Sequence, residues 1–145
     1  MSLRRIVFVC VLCLFSGGCQ KTTSQEKEIT MIAKIDEEVL EIEWEENDSV
    51  ASLKQKVEKE DVIIEMRRYG SFEQVGDLGF SLPSQDKQMN TQSGDLVLYG
   101  SDQVVLFYGN HSWSYTKLGK VKNKSEKEMA QLLSDHNVTL NLTKE

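Results

Sequence analysis

The chain has 145 residues, 39% of them apolar and 28% charged, with a net charge of −6. That is the size and composition of one globular domain, and it excludes disordered and collagen-like chains. The acidic balance excludes a general nucleic-acid binder, which needs a basic face to meet phosphates.

The N-terminus reads as an address. Arg4 and Arg5 precede an uninterrupted apolar run, Ile6 to Phe15. The run is too short for a hydrocarbon core, which takes about 20 residues, and with its basic flank it suits a secretory signal. Ser16-Gly17-Gly18-Cys19 follows and resembles the lipobox of bacterial lipoproteins. Small side chains let the backbone enter a peptidase cleft. Cys19 would then carry lipid, and acylation of the new N-terminus would add a second anchor, since one chain alone holds weakly. The alternative is an ordinary cleaved signal with an incidental cysteine. The three cysteines stand at positions 10, 13 and 19. A domain starting after them has no disulfide and no cysteine nucleophile. Without residues 1–18 the chain carries 15 basic and 23 acidic residues, a net charge of −8. An anionic membrane surface repels such a domain, so lipid rather than charge must hold it there. Residues 19–28 are polar and read as a tether.

The folded part is expected over residues 29–143. Residues 28–35 are β-rich. Residues 38–46 alternate, with Leu40, Ile42 and Trp44 on one face and Glu41, Glu43 and Glu45 on the other, a half-buried strand. Asp36-Glu37 between them suggests a hairpin. Asn47-Asp48-Ser49 offers helix caps, and Val50, Leu53 and Val57 recur at helical spacing, predicting a helix over 49–58. Residues 61–68 read as a strand with Val62, Ile64 and Met66 on its apolar face. Residues 69–94 read as one long irregular stretch that packs through Phe72, Val75, Leu78, Phe80 and Leu82. Residues 95–99 and 103–108 flank Gly100-Ser101-Asp102 as a hairpin. Residues 112–121 are a further strand or pair. Ser125 to Glu128 is a capping-box pattern opening a second short helix, and residues 138–142 close as a strand. Short strands with two short helices point to a mainly β fold, a barrel or rolled sheet.

Three blocks carry a family likeness. The run Tyr69-Gly70-Ser71-Phe72-Glu73-Gln74-Val75-Gly76-Asp77-Leu78-Gly79, with Ser81-Leu82-Pro83 after it, is similar to bacterial cyclophilin-like domain proteins. So are Gly94 to Tyr99, and Phe107-Tyr108-Gly109 through Trp113 and Tyr115 to Val121. The resemblance implies a closed eight-stranded β-barrel with two helices covering its ends. It also implies a groove near Phe72, Glu73, Gln74, Trp113 and Tyr115, and a prolyl-isomerase arginine at Arg67. Such an arginine polarises the prolyl amide so that the C–N bond loses double-bond character and rotates. Arg67 is one residue out of step with that pattern, and Glu73 stands where an apolar methionine is expected. A carboxylate within about 4–6 Å would pair with the guanidinium and place a charge against the proline ring. Two functions follow as expectations. One is a membrane-tethered, non-enzymatic module binding a peptide or small molecule. The other is an extracytoplasmic prolyl isomerase assisting exported proteins.

Other groupings have plain readings. Eight acidic residues and no basic one fall between positions 36 and 48. A calcium site would need six or more converging oxygens, and a solvated outer face is the simpler account. His111 and His136 are the two histidines and lie far apart in sequence, so no metal is expected. No cofactor or nucleic-acid partner is expected either, and there is no nucleophile-elbow motif. Lys117, Lys120, Lys122 and Lys124 form a basic stripe able to balance the acidic strand. Of Phe107, Tyr108, Trp113 and Tyr115, strand alternation sends half to the core. The domain is expected to be a monomer.

Overall fold

A computed structural model describes residue 18 and residues 28–145. The expected signal apart from residue 18, the expected lipidation site Cys19 and most of the tether lie outside the described residues. Ten strands and two helices follow in chain order. They are β1 (Met31–Ile35), β2 (Glu38–Leu40), β3 (Ile42–Trp44), α1 (Asp48–Lys59), β4 (Val62–Tyr69) and β5 (Glu73–Asp77). Then come β6 (Lys87–Thr91), β7 (Asp95–Tyr99), β8 (Gln103–Phe107), β9 (His111–Val121), α2 (Glu126–Leu133) and β10 (Thr139–Lys144).

Nine strands run in the order β2-β1-β10-β4-β5-β8-β7-β9-β3, and β6 pairs with β9 outside that path. The two end strands, β2 and β3, are consecutive in the chain. The expected single strand over 38–46 is broken at Glu41. Its first half pairs with β1 and its second half with β9. The barrel therefore closes through the chain itself. Counted as one bent strand, β2 and β3 make the barrel eight-stranded, as the resemblance implied. Glu41 is held at the corner from both sides. Its N–H donates to the Asn123 side chain at 3.0 Å, and its carbonyl accepts from the Lys122 N–H at 2.8 Å.

The barrel interior is the larger core. Alternation places Ile64 and Met66 of β4, Leu96 and Leu98 of β7, Leu106 of β8, and Leu140 and Leu142 of β10 inside, all nearly free of solvent. The helices close it as the periodicity predicts. Helix α1 buries Val50, Leu53 and Val57, and α2 buries Met129 and Leu133. Asn47 caps α1 by accepting from the Val50 N–H at 2.9 Å, and its amide donates to the Lys117 carbonyl at 2.9 Å. One side chain thus satisfies a helix end and ties it to β9. The Ser125–Glu128 capping box on α2 is complete.

The stretch 69–94 departs from the expectation of one irregular loop, because β5 and β6 lie within it. Strand β5 is buried on both faces from Glu73 to Gly76, so it shows no alternation. Strand β6 is largely exposed and polar. Between them, Leu78 and Leu82 enter the core, tied by N–H donation to the Asp102 and Ser101 carbonyls at 2.8 Å. The Ser49 hydroxyl donates to the Pro83 carbonyl, fixing this loop to α1.

Candidate functional site

A second, smaller core lies on the outer face of the barrel. It consists of Val75, Val97, Val105, Phe107 and Tyr115, with Phe72 and Met89 packed against it. Register explains it. Val75 lies opposite Arg67 on β4 and Val105 on β8, and Val97 lies opposite Val105. Beside that row Glu73 sits between Tyr69 and Phe107. Strand β9 runs on past the barrel and pairs there with β6, Trp113 opposite Met89 and Tyr115 opposite Lys87. Barrel wall and ribbon flank an open cavity of about 450 Å³.

Arg67, Glu73, Trp113 and Tyr115 all line this cavity, so the structure brings together four of the residues singled out in the sequence. Phe72 stands just behind its lining. Its ring stacks on His111 with centroids 4.7 Å apart, and His111 lines the cavity. Phe72 is pinned by close backbone approach. A Cβ on Gly109 would come within 2.8 Å of its Cβ.

Gln74 does not belong to the groove. It is fully buried on the other face of β5, as alternation requires of the residue next to Glu73. Its amide donates at 2.7 Å to the carbonyls of Leu133 and His136, at and beyond the end of α2. It is a structural tie that satisfies helix-end carbonyls.

The expected ion pair between Arg67 and Glu73 is also absent among the described residues. The register is the reason. Arg67 is opposite Val75, while Glu73 is opposite Tyr69, so the two are diagonal neighbours about 7–8 Å apart along the sheet. The Arg67 side chain extends to solvent at the rim. Glu73 is only 6% exposed, and its Oε2 is buried with no hydrogen-bond partner. Burial without a compensating charge pushes the Glu73 carboxyl up to about 7. Burial also pushes the nearby Tyr115 phenol up to about 12, and the charges of Glu73 and Tyr99 add to the rise.

Residues that sequence reasoning missed complete the wall. Tyr69, Val75, Tyr99, Gln103, Val105 and His111 all line the cavity. Parity along the strands was the available signal. Tyr69 follows Arg67 by two residues, and Tyr99 faces Gln103 across the β7–β8 turn. Tyr69, Tyr99 and Trp113 are among the most exposed large apolar side chains of the described residues. Tyr99 meets Tyr115 edge-on at 6.0 Å, so the aromatic surface is continuous from wall to ribbon.

The other groupings take their plain readings. Glu41, Glu43 and Glu45 point to solvent. Glu45 approaches Lys117 at 3.7 Å, Glu43 approaches Lys122 at 4.0 Å, and Glu38 pairs with Lys124 at 2.7 Å. Lys120 instead reaches Asp95 at 3.3 Å. Among the described residues no three His, Cys, Asp or Glu side chains gather as a metal site, and no helix is long and apolar enough to cross a membrane.

The model of the cyclophilin-like family matches residues 33–143. No curated protein and no solved structure matches the chain significantly. The matched span runs from within β1 to within β10 and takes in the eight strands between them, both helices and every residue of the cavity. The chain belongs to the cyclophilin-like family.

Proposed function

We propose that the protein is a lipid-anchored, extracytoplasmic binding module that takes a peptide or small ligand in the cavity between the barrel wall and the β6–β9 ribbon. The anchoring rests on the sequence from Arg4 to Cys19. The binding reading rests on one observation above all, the buried and unpartnered carboxyl of Glu73 on the cavity floor. An unpaired buried polar atom costs roughly 1–3 kcal/mol. A ligand that donates to the other oxygen of the same carboxyl offsets part of that cost. The same group opposes prolyl isomerisation, because a proline ring needs an apolar wall and meets a polar one here.

A second reading, peptidyl-prolyl isomerase, is favoured by Arg67, whose side chain reaches the cavity rim without pairing to Glu73. A protease-coupled assay with a Xaa-Pro peptide separates the two. The binding-module reading expects no acceleration by the protein and some gain in Glu73→Met. Robust acceleration that disappears in Arg67→Ala would overturn it and establish the isomerase.

A further inference from the structure

Among the described residues the Glu73 carboxyl is the one carboxyl in the cavity wall, and aromatic side chains line the cavity with it. Tyr115 and Phe107 are in edge contact at 5.6 Å. Tyr99, Tyr69 and Trp113 carry the aromatic surface outward to solvent. We propose that this cavity recognises an alkylammonium group, seated between the aromatic rings with one N–H donated to the Glu73 carboxylate. The proposal rests on the reading of the cavity as a ligand site and names the chemistry that site selects.

Three features carry it. The first is the orphaned acceptor. A carboxylate oxygen with no partner asks for a donor, and a charged donor makes the stronger bond. Oε2 is enclosed by protein, so the oxygen offered to a ligand is the other one of the carboxyl that lines the cavity. The second is the wall. Faces of Trp and Tyr attract cations through their quadrupoles, and more so when water is excluded. The third is the poise of the acid. Burial pushes the Glu73 carboxyl up to about 7, so a cation seated beside it favours the ionised form and binding draws the value down.

Two positively charged or chargeable neighbours face the same cavity. Arg67 lies at the rim, exposed, one strand over and two residues along from Glu73. Its charge is screened by solvent and weakens the site without closing it. His111 is held against Phe72 by ring stacking and by N–H donation from its backbone to the Thr91 hydroxyl at 3.2 Å. Neither forms a bond to the Glu73 carboxyl. A carboxylate in the cavity wall bonds more strongly to a charged N–H donor than to a cation without one, so a primary amine is favoured over a quaternary one of the same charge.

The test is a titration of the purified protein at pH 7.5, followed by NMR shifts of the Trp113 indole N–H. The probes are n-butylammonium, butyltrimethylammonium and 1-pentanol, with a lysine-bearing peptide as a further arm that separates a free amine from a protein side chain. Butylammonium is expected to bind about tenfold more tightly than pentanol, and to lose about tenfold in Glu73→Gln, which keeps the shape and removes the charge. Arg67→Gln is expected to tighten it a few-fold. Equal affinity for butylammonium and pentanol, unchanged amine binding in Glu73→Gln, or weaker binding in Arg67→Gln would overturn the assignment. Pentanol binding without amine preference overturns the amine and leaves the ligand site standing. Failure of every probe, together with isomerase activity in the Xaa-Pro assay, overturns both.

Discussion

Glu73 and Gln74 are neighbours in β5 and serve opposite sides of the barrel wall. Gln74 ties the end of α2 with two hydrogen bonds of 2.7 Å, while Glu73 turns its carboxyl toward the outer cavity with one oxygen unpartnered. Strand alternation produces the split, and it sets one residue against the end of α2 and the other against the cavity.

Glu73 should make the protein less stable as pH rises. Its carboxyl titrates near 7 when folded and near 4.5 as a free side chain. Between those values the folded state holds more of the proton, so stability falls through that window and levels off above it. The full loss is roughly 3 kcal/mol. The lowered carboxyls of Glu60 and Glu128 act in the opposite sense, but below about pH 4.5, and both are exposed. Urea midpoints at pH 5 and pH 8 measure the slope, and Glu73→Gln should flatten it. A wild-type midpoint higher at pH 8 would contradict the burial of an unpaired acid.

Gln74→Leu should cost about 2 kcal/mol, because the buried Leu133 carbonyl and the part-buried His136 carbonyl lose their donor. The loss should appear in urea unfolding and in faster amide exchange near the end of α2. Ligand or probe affinity at the cavity should not change. A cavity defect without a stability defect would place Gln74 back in the groove.

Asn47 is expected to matter twice. Asn47→Ala removes both the α1 cap and the tie to the Lys117 carbonyl, at a cost of about 1–2 kcal/mol. Asn47→Ser restores the cap but not the tie, and should recover part of the loss in thermal or urea unfolding. Full recovery would mean that the tie to β9 contributes nothing.

Period-two alternation made β4 and the 38–46 segment legible, β-rich composition marked β1, apolar runs around Gly100-Ser101-Asp102 marked β7 and β8, and the capping chemistry at Asn47 and Ser125 marked both helices. Strand β5 escaped because its buried positions are Glu73, Gln74, Val75 and Gly76, which show neither alternation nor the apolar run that marks β7 and β8. Strand β6 escaped for the reverse reason. As an outer ribbon it is polar and exposed, and Lys87-Gln88-Met89-Asn90 carries no apolar signal. The break at Glu41 is invisible locally, because both halves keep the same facing and differ only in which distant strand they pair with. At the site, the resemblance identified Arg67, Glu73, Trp113 and Tyr115, which converge. It also assigned Gln74 to the groove, where parity with Glu73 sets it on the opposite face. Tyr69, Tyr99 and His111 depend on strand pairings between residues far apart in the chain, which no local pattern reports.

Cys19 is expected to be the mature N-terminus and to carry lipid. Mass spectrometry of the mature protein should find the modification, and Cys19→Ala should leave the precursor unlipidated. An unmodified Cys19 in the mature protein would remove the membrane anchor from the account.

The central claim is that the cavity is built on a buried acid with no partner. Carbon-13 NMR of the Glu73 side-chain carboxyl across pH 3 to 9 tests it most directly. A midpoint near 7, moving downward on addition of butylammonium, is the predicted result. A midpoint at or below 4.5 in the free protein would mean that the carboxyl is solvated or paired, and would contradict the claim.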